Sequence, residues 1–523
     1  MATISEALSL ARAAVEAQDL ARAAQIYQRV LDAVPSEPNA LNGLGELAIA
    51  AGQLDEAGDY FVRAIAVAPH EPAFHNNLSE VRRRQDRLEE AAAACQRAVE
   101  LAPNSPLLHS NLGVIRRQQG QAEAAVTSFR RALALKDDLP IVYYNLGNAY
   151  VKLDELELAV ASFRRALEMA PDHPDTHLNL GNALHSQQRY AEALTHYEAA
   201  IRARPGFADA HYSRAMTWLT LGNFEQGWPE HEWRWQASVT KPLNLTQPHW
   251  QGEPFEGRTI LLIAEQGLGD TLQFVRYVPM VKSRGGRVIL HGAQPLQEIL
   301  RSVGGIDQFI VGKQCPEHFD CYAPLLTLPA VLGTRLETIP NRVPYVFADE
   351  QRVVRWRQRI GGGPGLNVGI AWQGSSGYPD DARRSIPLRH FLPLAESARL
   401  YSLQKNFGHE QLTALGEQTS IVDLGPQLDE GTGAFVDTAA VMMNLDLVIT
   451  SDTSMAHLAG SLGVPVWVAL HDVPNWRWLT ERNDSPWYPT MRLFRQSRRG
   501  NWEDVFAQIA AELRTLAAAA PPG

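Results

Sequence analysis

The sequence predicts an all-α superhelix of repeats followed by an α/β half in which strand–helix units are wound twice. Three observations carry that prediction. Alanine recurs at a constant step of 34 residues through the first half of the chain. From Arg258 onward, short β-branched runs alternate with amphipathic stretches, the pattern of parallel sheets covered by helices. The glycine-rich stretch Gly361–Gly365 then interrupts the alternation, which restarts beyond it.

A chain of 523 residues exceeds one hydrophobic core, so two to four domains are expected. Its formal net charge of −10 offers no cationic footprint for nucleic acid. No run approaches the ~18 apolar residues that span a bilayer. The first residues carry acids where a signal peptide has a basic and then an apolar segment, so a cytoplasmic protein is expected. Cys95, Cys315 and Cys321 form neither a disulfide framework nor a zinc-ligand pattern, and are expected to be small buried hydrophobes.

In the repeat, alanine stands at 23, 57, 91, 125, 159 and 193, and Gly227 takes the next place. Proline follows in register at 35, 69, 103, 171 and 205, with Asp137 in the missing slot. Large rings stand at Tyr27, Phe61, Phe129, Phe163 and Tyr197. Leucine repeats at 44, 78, 112, 146 and 180, followed by glycine at 45, 113, 147 and 181. This order of Leu-Gly, Ala, aromatic and Pro resembles the tetratricopeptide repeat, over roughly Ile4–Gln236. Each unit is then a helical hairpin with a face that only a neighbouring unit can bury. Six units are clear. A degenerate seventh ends in FEQGWPEHEWRW, where Trp228, Trp233 and Trp235 are expected to seal the array. The resulting division is a repeat domain over 1–236 and a Trp-rich linker over 237–257.

One recurring polar position stands out. Asn77, Asn111, Asn145 and Asn179 precede the Leu-Gly pair, with Asn148 and Asn182 a turn later. In the tetratricopeptide family that slot faces the concave groove, and a row of carboxamides can donate to and accept from the backbone of an extended peptide. Two readings stand: a grip on a protein acceptor, or a family habit at this slot, since Gly43 and Ser213 break the row.

Beyond Arg258, RTILLIAE, RVILH and QFIV read as strands, with helices over Thr271–Lys282 and Leu296–Val303. After the glycine-rich break, LNVGIAW, RLYSLQ, SIVDLG, LVITS and VWVAL read as strands, and a last helix covers about Trp502–Leu516. Two Rossmann-like halves are expected, 258–350 and 362–516, with ligand held at the carboxyl ends of the strands.

Two motifs lie at such ends. The first strand leads into EQGLGDTLQF, which is neither a dinucleotide fingerprint, since Leu272 replaces the third glycine, nor a P-loop. Asp270 is either a helix N-cap or a functional carboxylate. Later, LVITSDTSMAHLAGSLGVPVWVAL reads as strand, helix from Thr453 to Leu462, and strand, with the polar corner Ser451–Ser454 between. A helix N-terminus offers unpaired N–H groups and a partial positive charge, suited to phosphate. Thr453 and Ser454 add hydroxyls; Asp452 orients the loop or bonds a sugar or ribose hydroxyl; His457 faces the cleft. The alternative is Asp452 as N-cap and His457 as a satisfied, partly buried histidine.

Asp452–Ala459 followed by Gly463-Val464-Pro465 resembles the donor-site signature of glycosyltransferase family nine, the heptosyltransferase-like group. That resemblance implies a two-domain GT-B fold whose first domain carries Gly-x-Gly-Asp after strand one, as at Gly267–Asp270. The ordered motifs cover about 260 residues. Together with the repeats, and with PNWRWL and DSPWYP, the chain resembles bacterial tetratricopeptide-repeat glycosyltransferases, some of which are thought to modify flagellin. The resemblance implies an inverting transfer with Asp270 as base, and a cation near Arg383 and Arg384 on the donor phosphate, Arg384 being the choice; a solvated charged loop is the alternative there. The sequence departs from the family at Ser454, where glycine is usual, and at HDVPNW, where a Phe-Gly turn is usual.

The same strand-end logic adds Gln373 and Ser375 after LNVGIAW, and Gln404 and Lys405 for base or ribose. His291, ending RVILH, reads as structural. No Asp-x-Asp pair occurs, so a metal-independent site with no cofactor is expected, its leaving-group charge carried by helix terminus and arginine. The expected partners are a nucleotide-sugar donor and a protein hydroxyl in the repeat groove. The alternatives are a non-catalytic scaffold with a degenerate GT-B part, or transfer to a lipid-linked saccharide.

Overall fold

The computed structural model describes residues 3–519 apart from 241–244, 313–315, 317, 362–364, 378–380, 417–418 and 432. Cys315, most of the glycine-rich break and the Tyr378–Asp380 part of the arginine loop therefore lie outside the described residues. The chain divides into two compact units, Met1–Phe207 and Ala208–Gly523.

The first unit is six helical hairpins, from Ile4–Glu16 with Leu20–Ala33 to Pro174–Ser186 with Tyr190–Ala203. The 34-residue period has a steric cause. A Cβ on Gly45, Gly113, Gly147 or Gly181 would lie 2.5–2.6 Å from the ring of Phe61, Phe129, Phe163 or Tyr197 respectively, so the two helices of these four hairpins approach closely because one residue lacks a side chain. The third unit supports this account by departing from it. There serine replaces the glycine, at Ser79, and the facing residue shrinks to Cys95, whose thiol hydrogen-bonds with Ser79 and is pushed up to about 11 by burial.

The asparagines tie neighbouring repeats. Asn77 Nδ2 donates to Asn42 Oδ1 and Glu46 Oε1, Asn111 to Asn76 at 2.8 Å, and Asn179 to Asn148 at 2.8 Å and to Tyr144. Asn182 accepts from the hydroxyl of Tyr197, and Asn145 is buried. A second periodic feature escapes the sequence reading. His75, His109 and His177 each donate from Nε2 to the carbonyl of a proline six residues earlier, Pro69, Pro103 and Pro171, at 2.7–3.0 Å, closing the turn into the next hairpin.

The second unit begins with a seventh hairpin, α1 (Ala208–Thr220) and α2 (Phe224–His231). This hairpin continues the repeat as the sequence places it, and it forms part of the second compact unit. Trp228 is buried in the same core as β1 and the later tryptophans. The first sheet has β1 (Thr259–Ile263), β2 (Arg287–Gly292), β3 (Gln308–Val311) and β4 (Cys321–Pro324), all parallel, in the order β3-β2-β1-β4. The second has β5 (Leu366–Ala371), β6 (Ala398–Ser402), β7 (Val422–Asp423), β8 (Leu447–Ser451), β9 (Val466–Leu470) and β10 (Met491–Arg495), also parallel, in the order β10-β9-β8-β5-β6-β7. β4 and β10 were not anticipated. The expected helix over Thr271–Lys282 is instead α3 (Leu268–Phe274), a 3₁₀ turn and the short helix Val278–Lys282. The last helix spans Glu503–Ala519.

The glycine–ring fit yields a test. Gly→Ala in a helix ordinarily stabilises by roughly 0.5–1 kcal/mol. Gly147→Ala is expected instead to destabilise the array by about 1–3 kcal/mol through overpacking, read by urea denaturation. The pair Gly147→Ser with Phe163→Cys, copying Ser79 and Cys95, should recover part of the loss; no recovery would mean that the ring is not the obstacle.

Candidate functional site

The second sheet has the doubly wound order, with the chain reversing direction between β5 and β8. A parallel sheet binds ligands in the crevice at such a switch point. Two loops border it: Trp372–Gly377 after β5, and Asp452–Thr453 after β8, which enters α4 (Ser454–Leu462). Thr453, not Asp452, is the N-cap of α4, and its hydroxyl accepts from the Met455 N–H at 3.4 Å. Arg384 lies over this corner. Its Nη1 donates to the carbonyl of Asp452 at 3.0 Å and its Nε to Asp381 at 3.1 Å. A Cβ on Gly374 would meet Arg384 Nη2 at 2.5 Å and Thr453 Cγ2 at 3.2 Å, so glycine there lets three segments converge. Asp381, buried and unforeseen, also accepts from Gln373 Nε2 and Ser385 Oγ at 3.2 Å each. It aims the guanidinium; the only trace of it in sequence is its i,i+3 spacing to Arg384. Ser375 is exposed and accepts from the Gly377 N–H.

Other expected ligand groups are already engaged by the fold. Gln404 is buried, with Oε1 accepting from the N–H groups of Trp372 and Gln373 and Nε2 donating to the carbonyls of Gln373 and Phe407. It clamps two strand-end loops together, so base or ribose recognition is not its task. Lys405 donates to the carbonyl of Leu428. His291 bonds the carbonyl of Gly312 at 2.8 Å, a structural role. His457 is the satisfied, buried histidine of the alternative reading, its Nδ1 bonded to the Tyr488 hydroxyl at 2.9 Å and its ring stacked on Trp478. Burial, with Arg477 and Arg276 nearby, holds its imidazole well below the ordinary histidine range.

The two motifs touch. A Cβ on Gly269 would lie 2.9 Å from His457 and 3.3 Å from Ser454 Cα, so α3 and α4 pack backbone to backbone. Asp270 is the third residue of α3 rather than its N-cap; Gly267 holds that position and donates its N–H to Asp270 Oδ2 at 2.9 Å. Asp270 Oδ1 takes an ion pair from Arg477 of the PNWRWL segment. Arg477 also donates to Gln273 and Asn475 and lies over the rings of Trp476 and Phe274. The carboxylate read as a free base is therefore engaged at both oxygens. Arg276 mirrors this, donating to the carbonyl of Trp487 at 2.7 Å and to the Tyr345 hydroxyl, and lying over Tyr488 of the DSPWYP segment.

At the switch point of the first sheet, between β1 and β4, the crevice is occupied by the chain itself. Arg234, fully buried, donates from Nη2 to Glu265 at 3.0 Å and to Thr327 at 2.7 Å, and from Nη1 to Glu232 at 2.5 Å. Burial outweighs the attraction of Arg234 and pushes the Glu265 carboxyl up to about 7.

The repeat family matches in overlapping stretches. The tetratricopeptide-repeat pattern covers residues 8–66, 48–106, 144–206 and 178–227, and a second such pattern covers 115–154. The first part of this chain is a tetratricopeptide-repeat array. Such repeats suggest a protein partner. Protein FlbA of Caulobacter vibrioides is 25% identical over 338 residues, 59% of this chain and 55% of that protein, so the chain spans about half the length of this curated relative. Among solved structures, Pseudomonas aeruginosa pilF gives a TM-score of 0.38 at 18% identity over 40% of this chain and 96% of its own. YrrB, described as a tetratricopeptide-repeat protein with an unusual peptide-binding site, gives 0.33 at 17% over 36% and 98%. No helix among the described residues is long and apolar enough to cross a membrane.

Two buried groups set opposed pH responses. The Glu265 carboxyl sits at about 7 in the fold against an ordinary 4.5; between these values the unfolded chain has released its proton and the folded chain has not, so stability falls as pH rises through that window. His457 stays neutral in the fold while the unfolded chain protonates below its ordinary 6.5, so stability falls as pH drops below that value. Glu265→Gln removes the first effect. Its Tm advantage over the parent should grow between pH about 5 and about 7.5; a constant difference would show that Glu265 is ionised throughout.

Proposed function

We propose that the chain is a glycosyltransferase of the GT-B kind, moving a sugar from a nucleotide-sugar donor to a hydroxyl of a protein recruited by the repeats, flagellin being one candidate acceptor. The observation that carries this reading is the corner at the switch point of the second sheet, where the N-terminus of α4 and the guanidinium of Arg384 meet at Asp452–Thr453. Helix dipole and a fixed cation suit a diphosphate leaving group. The family-nine resemblance of the two motifs and the suggestion of a protein partner by the repeats supply the sugar and the acceptor class.

In this reading the acceptor oxygen attacks the anomeric carbon as the bond to the diphosphate breaks, and the nucleoside diphosphate leaves with the pair. Asp270 takes the hydroxyl proton on a lone pair left over from Arg477 and Gly267, each carboxylate oxygen having two. The acceptor chain lies along Asn77, Asn111, Asn145 and Asn179 through the acceptor capacity that their ties to neighbouring repeats leave. A second reading, a scaffold whose α/β part binds without turning over, is favoured by one observation, the engagement of both Asp270 oxygens.

Donor binding is tested by Arg384→Ala and Thr453→Ala, each expected to weaken nucleotide-sugar affinity about 10–100-fold, the loss of one charge-assisted hydrogen bond. Calorimetry showing unchanged affinity in both would remove the anion site. Asp270→Asn should keep donor affinity and lower kcat at least about a hundredfold; undiminished transfer places the base elsewhere, and absence of transfer in the parent selects the scaffold. Asn111→Ala, Asn145→Ala and Asn179→Ala combined should cut modification of the protein acceptor while sparing donor hydrolysis, followed by intact mass of the acceptor.

A further inference from the structure

The seventh hairpin does more than end the array. Arg234, three residues beyond α2, enters the switch point of the first sheet and is sealed there, its Nη2 shared between Glu265 on the β1 side and Thr327 on the β4 side. Glu232 reinforces the contact, accepting from Thr327 Oγ1 at 2.9 Å and pairing with Arg234 Nη1. Glu265 Oε1 also accepts from the Leu326 N–H at 3.3 Å. The crevice that a ligand takes in a doubly wound sheet is here filled by a guanidinium from the repeat.

What hangs from Glu265 gives this contact a functional meaning. Gln266, the next residue, is held at φ +69, a left-handed conformation that side-chain-bearing residues adopt at a cost and keep only when their surroundings impose it. Gly267 follows as the N-cap of α3, and Asp270 is bonded back to it. The path from Arg234 to Asp270 is thus one short loop, anchored at its start by the buried Arg234–Glu265 hydrogen bond and at its end by the pairing of Asp270 with Arg477.

We infer that Arg234 is a positioning residue: by holding Glu265 it sets the strained Gln266–Gly267 turn and so the placement of Asp270, which makes the seventh hairpin a working part of the α/β unit. The inference rests on the proposed transfer reaction for its catalytic consequence, but not for its structural one, and the two are read separately. Removing Arg234 leaves the Glu265 carboxyl with the Leu326 N–H but without its cation, and the turn loses the anchor that imposes its conformation.

Hydrogen exchange by mass spectrometry on the full chain reads the turn directly. In Arg234→Gln, peptides covering 264–271 should exchange at least about tenfold faster than in the parent, the loss of one charge-assisted bond, while peptides covering 447–457 stay unchanged. In the transferase assay, kcat should fall at least about tenfold, as misplacement of a reacting group requires, with donor Kd within about twofold because the anion site is separate. Thr327→Val removes one acceptor of Arg234 at constant shape and should shift the same peptides in the same direction, which keeps the test open if Arg234→Gln does not fold. Unchanged exchange at 264–271 in a folded variant overturns the inference, as does equal acceleration at 447–457. Selective acceleration in a protein whose parent transfers no sugar upholds the inference and overturns the proposed reaction.

Discussion

The α/β unit depends on a missing side chain. Where α3 crosses α4, Gly269 leaves no room for a methyl group against Ser454 and His457, and only that absence lets the two motif-bearing helices meet. Much of the local chemistry follows from this proximity. It brings Asp270 within reach of Arg477, encloses His457 between Tyr488 and Trp478, and concentrates Phe274, Trp476 and Trp487 around two buried arginines. Guanidinium groups suit this setting, since they stack on rings and donate to several carbonyls without a full complement of counter-charges. Replacing Gly269 would therefore disturb the corner of Asp452, Thr453 and Arg384 from a distance, by moving the helix α4 that begins there.

The repeat unit obeys the same kind of constraint on a smaller scale. Four hairpins keep a gap opposite a ring, and in the third, where the ring is gone, the gap is gone too, as at Ser79 and Cys95. Complementary volume, rather than residue identity, is what the 34-residue period encodes. The asparagines and the proline-capping histidines then tie the rims of neighbouring hairpins, so the polar row carries part of the array's own cohesion.

Periodic features were legible in the sequence because they are written many times: the hairpins, their register and most β-branched strands. β4 and β10 were missed because CYAP carries a proline and MRLFR alternates charge with apolar residues, neither of which reads as a buried parallel strand. At the site, Gly374, Arg384 and Thr453 were within reach of strand-end logic, and the structure brings Arg384 and Thr453 to one corner. Gln404, His457 and Asp270 were placed in the right loops and helices, but most of the partners they hold in the fold were not legible. Which hydrogen bonds a side chain spends on its own fold depends on partners distant in sequence: Arg477 lies 207 positions from Asp270, and no local pattern announces it. Arg234 was hidden for another reason, since FEQGWPEHEWRW reads as the tail of a repeat and gives no sign that its arginine serves a different sheet.

That tail has a bearing on how such chains can be recombined. If hairpins are units of exchange, shuffled between proteins to alter what is captured, the exchangeable stock ends near Phe207. The last hairpin carries Trp228 into the α/β core and Arg234 into the mouth of its first sheet, so it travels with the domain behind it and not with the hairpins in front. A graft made at the apparent end of the repeats would sever a wedge from the sheet it fills, whereas one made a hairpin earlier would leave that wedge in place.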